Sequence, residues 1–148
     1  MFKKILLAID GSAHAEKALK YARDLALRDG AQVIVVHAFQ PLPSYHVHPG
    51  ETWGDKIVAR HITVGRELAD EAGQKLQAAD IDVIVEVLEG PAADAILRVA
   101  DTRQPDLIVM GSRGHGELAS LLLGSVSHRV MAHTQVPVLI VKAAEKMG

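Results

Sequence analysis

The sequence predicts an α/β domain built on a parallel β-sheet with right-handed crossovers. Two observations carry this expectation. The apolar runs are short, continuous and rich in β-branched residues, as expected of strands buried on both faces. Stretches with helical spacing separate them, so strand and helix alternate along the chain from end to end.

The first run, Ile5-Leu6-Leu7-Ala8-Ile9, stops at Asp10. Residues 13–29 then place Ala15, Ala18, Leu19, Ala22, Leu25 and Ala26 on one stripe. Ser12 stands where an N-cap belongs and Gly30 where a left-handed residue ends a helix. Val33 to Val36 form the second strand. Phe39 to Gly54, with Pro41, Pro43, Pro49 and Gly50, read as a long loop of the kind that carries function or mobility. A helix over about 55–79 offers Ile57, His61, Val64, Leu68 and Ala72 to the core, with Gly65 and Gly73 weakening it locally. Val83 to Val85 make the third strand. Gly90-Pro91 opens the next helix with Pro at its first position, Asp94 in the first turn and Ile96, Val99 and Ala100 facing inward. Leu107 to Met110 are the fourth strand, a helix runs from Ser125 to about His133, and Pro137 leads into the last strand, Val138 to Val141.

Composition narrows the function. A chain of 148 residues, 49% hydrophobic, is expected to form a single domain over 1–148. Sixteen Lys and Arg against 18 Asp and Glu leave a net charge of −2, which argues against a nucleic-acid partner or a polybasic membrane surface. The absence of cysteine removes disulfides, thiol nucleophiles and Cys-based zinc sites. An aromatic content of 3% leaves little to stack on bases or to sandwich a flavin ring. The amino-terminal apolar run is too short for a signal-peptide core and no run is long enough to span a membrane, so a cytoplasmic protein without membrane insertion is expected.

In open parallel sheets, ligands bind beyond the carboxyl ends of the strands where strand order reverses. Asp10-Gly11-Ser12, His37-Ala38-Phe39, Leu88-Glu89-Gly90-Pro91 and Gly111-Ser112-Arg113-Gly114-His115-Gly116 occupy those positions. The last is suited to a phosphate, since Gly111 and Gly114 let main-chain N–H groups approach an anion. Gly124-Ser125 opens a helix whose dipole favours the same anion, with the Ser125 and Ser127 hydroxyls as further donors. A plain turn followed by a capped helix fits the same residues. Neither a Walker A nor a dinucleotide fingerprint is present. Asp10 could simply make a turn in which its carboxylate binds the main chain two residues on, but its place at the switch point favours a ribose hydroxyl or Mg²⁺. Arg113 offers a fork of donors. His37 reads as a packed residue and Arg129 as a surface one. His128 and His133, five apart, do not share a helix face, and His46 and His48 lack the further ligands a metal site needs.

The spacing Gly111-x2-Gly114-x9-Gly124-Ser125, with Asp10-Gly11-Ser12 near the start and Val136-Pro137-Val138-Leu139-Ile140-Val141 near the end, resembles the nucleotide-binding branch of the universal stress protein family over nearly the whole chain. The resemblance implies a five-stranded parallel sheet of order 3-2-1-4-5 with helices on both faces, a Rossmann-like fold akin to the adenine nucleotide alpha hydrolases. It implies ATP, with Mg²⁺ at Asp10, between the first and fourth strands. Asp10 and Gly11 then lie near ribose and phosphates, the backbone of Val36, His37 and Ala38 reads adenine, and Gly90 and Pro91 close over the ribose. Met110, Gly111, Arg113, Gly114, His115, Gly124, Ser125, Val126 and Ser127 surround the triphosphate, while Gly116 keeps a loop role outside the motif. A homodimer through Val136 to Val141, a stress-response or regulatory role and an unidentified protein partner complete the implication. The alternative is an enzyme on the same scaffold, a slow ATP hydrolase or a phosphate- or adenylyl-transfer protein. No catalytic residue is nominated, because the sequence offers no P-loop lysine and no clear general base.

Overall fold

The computed structural model describes residues 1–40, 52–114 and 123–143, with the backbone alone for 52–61. Five strands, β1 (Lys4–Ala8), β2 (Gln32–Phe39), β3 (Val83–Glu89), β4 (Leu107–Gly111) and β5 (Val138–Val141), form one sheet of order β3-β2-β1-β4-β5. All four neighbouring pairs are parallel, and β1 sits centrally with Ile5 opposite both Val33 and Leu107. Connections after β1 lead to β2 on one side while the chain returns to β4 on the other, which makes the β1–β4 boundary the switch point.

Four helices cover the sheet: α1 (Ala13–Asp29), α2 (Thr52–Gln77), α3 (Ala92–Arg103) and α4 (Ser125–His133). Side chains alternate between faces along each strand. Ile5, Leu7, Val33, Val35 and Val109 therefore join Ala18, Ala22 and Ala26 of α1 and Ala69, Ala72 and Leu76 of α2 in one layer. Leu6, Ile34, Val36, Ile108 and Met110 join Ala93, Ile96 and Val99 of α3 and Val130 of α4 in the other. Both layers are apolar because both faces of a parallel sheet are buried.

α1 follows the sequence pattern closely. The Ser12 hydroxyl accepts the Ala15 N–H at 3.2 Å, and Gly30, at φ 69°, turns the chain so that its N–H reaches the Ala26 carbonyl. α2 departs from expectation. It begins at Thr52 rather than near 55 and ends at Gln77, where a turn carries Asp80 at φ 62°. Its buried stripe is Gly65, Ala69, Ala72, Gly73 and Leu76, so Val64, expected in the core, is exposed. The two glycines cause this phase. A Cβ at Gly65 would stand 3.0 Å from the His37 ring, and one at Gly73 would stand 2.9 Å from Val85. They are contact positions where the helix lies close to the sheet, rather than weaknesses in it. The side chains of Ile57 and His61, and the loop between Phe39 and α2 apart from Gln40, lie outside the described residues.

Pro91 is the N-cap of α3 rather than its expected first residue, and the helix begins one residue later, at Ala92. With ψ 140° Pro91 is still extended, while its carbonyl accepts the first helical N–H, from Ala95 at 3.0 Å. Ile96, Val99 and Ala100 are buried as expected. Pro137 precedes β5 and its carbonyl accepts the Ile108 N–H, a role for which proline lacks nothing.

At the amino ends of the strands two carboxylates hold the start of the chain. Asp29 accepts the Phe2 N–H at 2.8 Å, and Asp106 accepts the N–H groups of Lys3 and Lys4. These backbone hydrogen bonds are the main cause that holds both carboxyls below their ordinary value.

Candidate functional site

At the opposite edge of the sheet, beyond the carboxyl ends of β1 and β4, a cleft opens. Ala8, Ile9, Ile96 and Met110 give it an apolar floor. Its polar rim is made by Asp10 and Ser12 on one side and by Arg113, Gly114, Gly124 and Ser127 on the other.

Asp10 makes the expected turn with one carboxylate oxygen and leaves the other toward the cleft. Oδ1 accepts the Ser12 N–H at 2.9 Å, the expected turn, with Gly11 at φ 83°. Oδ2 points across the cleft at Gly114, where an added Cβ would come within 2.6 Å of it. Glycine at 114 therefore preserves the space between the carboxylate and the opposite wall. Gly111 serves a different purpose from the anion approach expected of it. An added Cβ there would meet His14 Cβ at 2.6 Å and its carbonyl carbon at 3.0 Å, so Gly111 lets the first turn of α1 pack on the end of β4.

Ser112 ties the two ends of the motif together. It is buried, and its N–H donates to the Val141 carbonyl at 2.9 Å. Its own carbonyl accepts the Gly124 N–H and, at 2.8 Å, the Ser127 hydroxyl. One carbonyl thus clamps the beginning of the motif to its end and sets the amino terminus of α4 beside Gly114. The Ser127 hydroxyl, expected to face an anion, is committed to main-chain carbonyls instead, because a buried hydroxyl must find a partner and Ser112 supplies it. Gly124 has no side chain with which to cap α4, and no side-chain cap bond is made there. The partial positive charge of that terminus lies at the cleft wall, where Gly124, Val126 and Ser127 line it.

The structure therefore brings together Asp10, Met110, Gly111, Arg113, Gly114, Gly124, Val126 and Ser127. Val36, His37, Ala38, Gly90 and Pro91 are outside the lining of this cleft. The Val36 carbonyl accepts the Ile9 N–H, His37 Nδ1 is 3.0 Å from the Ile9 carbonyl oxygen, and the Gly90 N–H donates to Phe39, which ties these segments to one another. Gly11 borders a separate cleft between α1 and α2, and Ser125 is exposed. His115, His46, His48 and Gly116 lie outside the described residues. Among the described residues no three His, Cys, Asp or Glu side chains gather as a metal site. Arg129 pairs with Asp94 at 3.2 Å and straps α4 to α3 at the surface.

Sequence reasoning passed over His14, and it gave Ser12 only a capping role and Ser112 only a place in the glycine loop. His14 sits on the first turn of α1, with Nδ1 3.0 Å from the Ala143 N and 3.1 Å from Ser112 Oγ, and with Nε2 3.3 Å from Arg113 Nη2. Its only sequence signal was a polar ring among small residues one turn after a strand end.

A profile of the universal stress protein family matches residues 1–142. A universal stress protein encoded in the QAH/OAS sulfhydrylase 3′ region of Thermus aquaticus is 41% identical over 142 residues, covering 96% of this chain and all of that one. The solved structure of hypothetical protein MJ0577 superposes with a TM-score of 0.85 at 27% identity, covering 99% of both chains. A universal stress protein solved in complex with cAMP superposes with a TM-score of 0.72 at 25% identity, covering 97% of this chain and 99% of that one. Sheet order, motif spacing and the match along the chain agree, and this chain belongs to the universal stress protein family.

Proposed function

We propose that this protein is a cytoplasmic, homodimeric stress-response regulator that holds ATP at the β1–β4 switch point. One observation carries the reading: the Ser112 carbonyl clamps Gly124, so that the uncapped amino terminus of α4 and the Gly114 turn face Asp10 across one cleft. This arrangement has the chemistry of a phosphate site, because glycine removes side-chain bulk and helix amides supply oriented donors. The cAMP complex of the structural relative supports an adenine nucleotide as the ligand class.

The residues present fit such a group. Arg113, Gly114, Gly124, Ser125, Val126 and Ser127 would hold the phosphates, chiefly by main-chain N–H groups, with Met110, Gly111 and His115 alongside. Asp10 and Gly11 would meet the ribose, and Asp10 a Mg²⁺ ion carried by the phosphates. The backbone of Val36 to Ala38 would read adenine, and the Gly90-Pro91 turn would close the ribose side. The β5 edge, Val136 to Val141, would pair with a second copy. Regulation through a protein partner outranks turnover, since the described cleft presents neither a lysine to span the phosphates nor a side chain placed as a base.

Denaturing freshly purified protein and identifying any released nucleotide by chromatography and mass spectrometry tests the reading. ATP is the expected release. ADP or AMP would point instead to a hydrolase or transferase. Protein that releases nothing and shows no heat of binding when titrated with Mg-ATP overturns both.

A further inference from the structure

β1 and β2 pair in register as far as Ala8 and Val36, whereas β2 stays paired with β3 to Phe39. Past Ala8 the end of the first strand is held in part by a side chain. The Ile9 N–H donates to the Val36 carbonyl at 3.0 Å, and the Ile9 carbonyl oxygen lies 3.0 Å from His37 Nδ1. A carbonyl only accepts, so Nδ1 carries the proton and donates it. The ring therefore stands where the next main-chain donor of a parallel ladder would. It is seated from the other side by α2, where Gly65 passes so close that an added Cβ would stand 3.0 Å from both Cδ2 and Nε2. What the ring holds is the peptide unit that leads into Asp10. Because that unit is planar, fixing the Ile9 carbonyl also fixes the Asp10 N–H. The Asp10 carboxylate is then set by the Ser12 N–H, which donates to Oδ1 at 2.9 Å, and Oδ2 faces Gly114 across the cleft.

We infer that His37 is a positioning residue for Asp10: its Nδ1–H anchors the Ile9–Asp10 peptide and so aims the carboxylate at the Mg²⁺ ion and ribose of the bound nucleotide. The inference rests on the nucleotide reading above and adds to it a side chain outside the cleft lining, seated under α2. An outer group of this kind acts through the geometry of the ligand it orients. Without the ring the Ile9 carbonyl loses its partner, and its peptide turns toward another donor because a shielded carbonyl does not stay unpaired. Asp10 turns with it. α2 thereby enters the design of the site, since the missing side chain at Gly65 leaves room for the ring and the helix backbone keeps the ring from swinging away.

Titration calorimetry with Mg-ATP on the parent and on His37→Leu, His37→Asn and His37→Gln tests the role, with each variant also made in an Asp10→Asn background. His37→Leu fills the space without a donor and binds Mg-ATP about tenfold more weakly. His37→Asn, whose amide N–H₂ takes the place of Nδ1, recovers most of the loss. His37→Gln, whose amide reaches the Nε2 position instead, does not. In the Asp10→Asn background His37→Leu and His37→Gln cost little more, because the ring acts through the carboxylate; a merely structural role lowers affinity by the same factor in both backgrounds. Circular dichroism establishes that each variant is folded, and His37→Gln carries the test if His37→Leu is not. In the ¹⁵N-labelled parent without nucleotide, long-range ¹H–¹⁵N spectra show the His37 proton on Nδ1. Equal affinity in parent and His37→Gln, equal losses in both backgrounds, or a bare Nδ1 overturns the positioning role and leaves the nucleotide reading standing. A parent that binds no Mg-ATP removes the nucleotide reading itself, and the positioning role with it.

Discussion

Two glycines three residues apart do different work, and substitution separates them. At Gly111 the space is filled by the first turn of α1, with His14 Cβ 2.6 Å from an added methyl carbon. Gly111→Ala therefore overpacks a helix–strand contact and lowers stability by about 1–3 kcal/mol, read from the urea midpoint of unfolding. At Gly114 the obstruction is the Asp10 carboxylate across the cleft, 2.6 Å from an added Cβ. Gly114→Val leaves the fold intact, displaces Asp10 and abolishes nucleotide retention. Calorimetry with ATP checks this, and unchanged affinity would count against the site. The motif reads as one unit in sequence, yet its first glycine serves packing and its second serves the cleft.

At the scale of elements, the ends of strands and helices decide most of the behaviour. α4 is placed by the Ser112 carbonyl, α1 by its Ser12 cap and the glycine at 111, and β1 by carboxylates that reach its amino end. The last of these has a pH consequence. Asp29 and Asp106 have folded-state values below the ordinary 3.8 because backbone N–H groups favour their charged forms. Their contribution is therefore complete above the ordinary value and is lost as pH falls through the lowered ones. Asp106→Asn weakens the protein at neutral pH and flattens its acid dependence: between about pH 5 and pH 2 the parent loses more stability than the variant. Denaturation midpoints across that range test the sign. Parallel curves for the two proteins would show that Asp106 adds nothing through its charge.

At the scale of the whole molecule, the sheet has two edges, β3 and β5, and β5 is the shorter and apolar one. Val138, Leu139 and Ile140 are half-buried. The bonds from Ile108 to the Pro137 carbonyl and from Ser112 to the Val141 carbonyl turn the odd-numbered residues toward β4. Val138 and Ile140 thus present their main-chain groups to the open side, the template for a second strand. In the proposed dimer that strand belongs to another copy across a two-fold axis. Ile140→Lys yields monomer in sedimentation equilibrium. Because Ile140 also packs against the α3–α4 layer, circular dichroism accompanies the measurement to establish that the variant is folded. Identical sedimentation of folded variant and parent removes the edge from the interface.

The sequence by itself determined the class of fold and the two stretches, at Asp10 and around Gly111, Gly114 and Gly124, that meet at the cleft. Continuous apolar runs mark buried parallel strands, Ser12 and Gly30 bracket α1, and the spacing from Gly111 to Gly124 marks the turn and helix that meet at the cleft. These are local signals, written in the residues that make each element. Only the tertiary structure decided that Gly65 and Gly73 set the phase of α2, that the Ser127 hydroxyl is spent on Ser112, and that His14 stands between Arg113 and Ala143. Each of these depends on contacts between elements distant in the chain, the last joining residues 99 and 129 positions apart. A periodic pattern carries which face of an element is apolar; which side chain waits opposite a glycine or a ring nitrogen is settled when the elements pack.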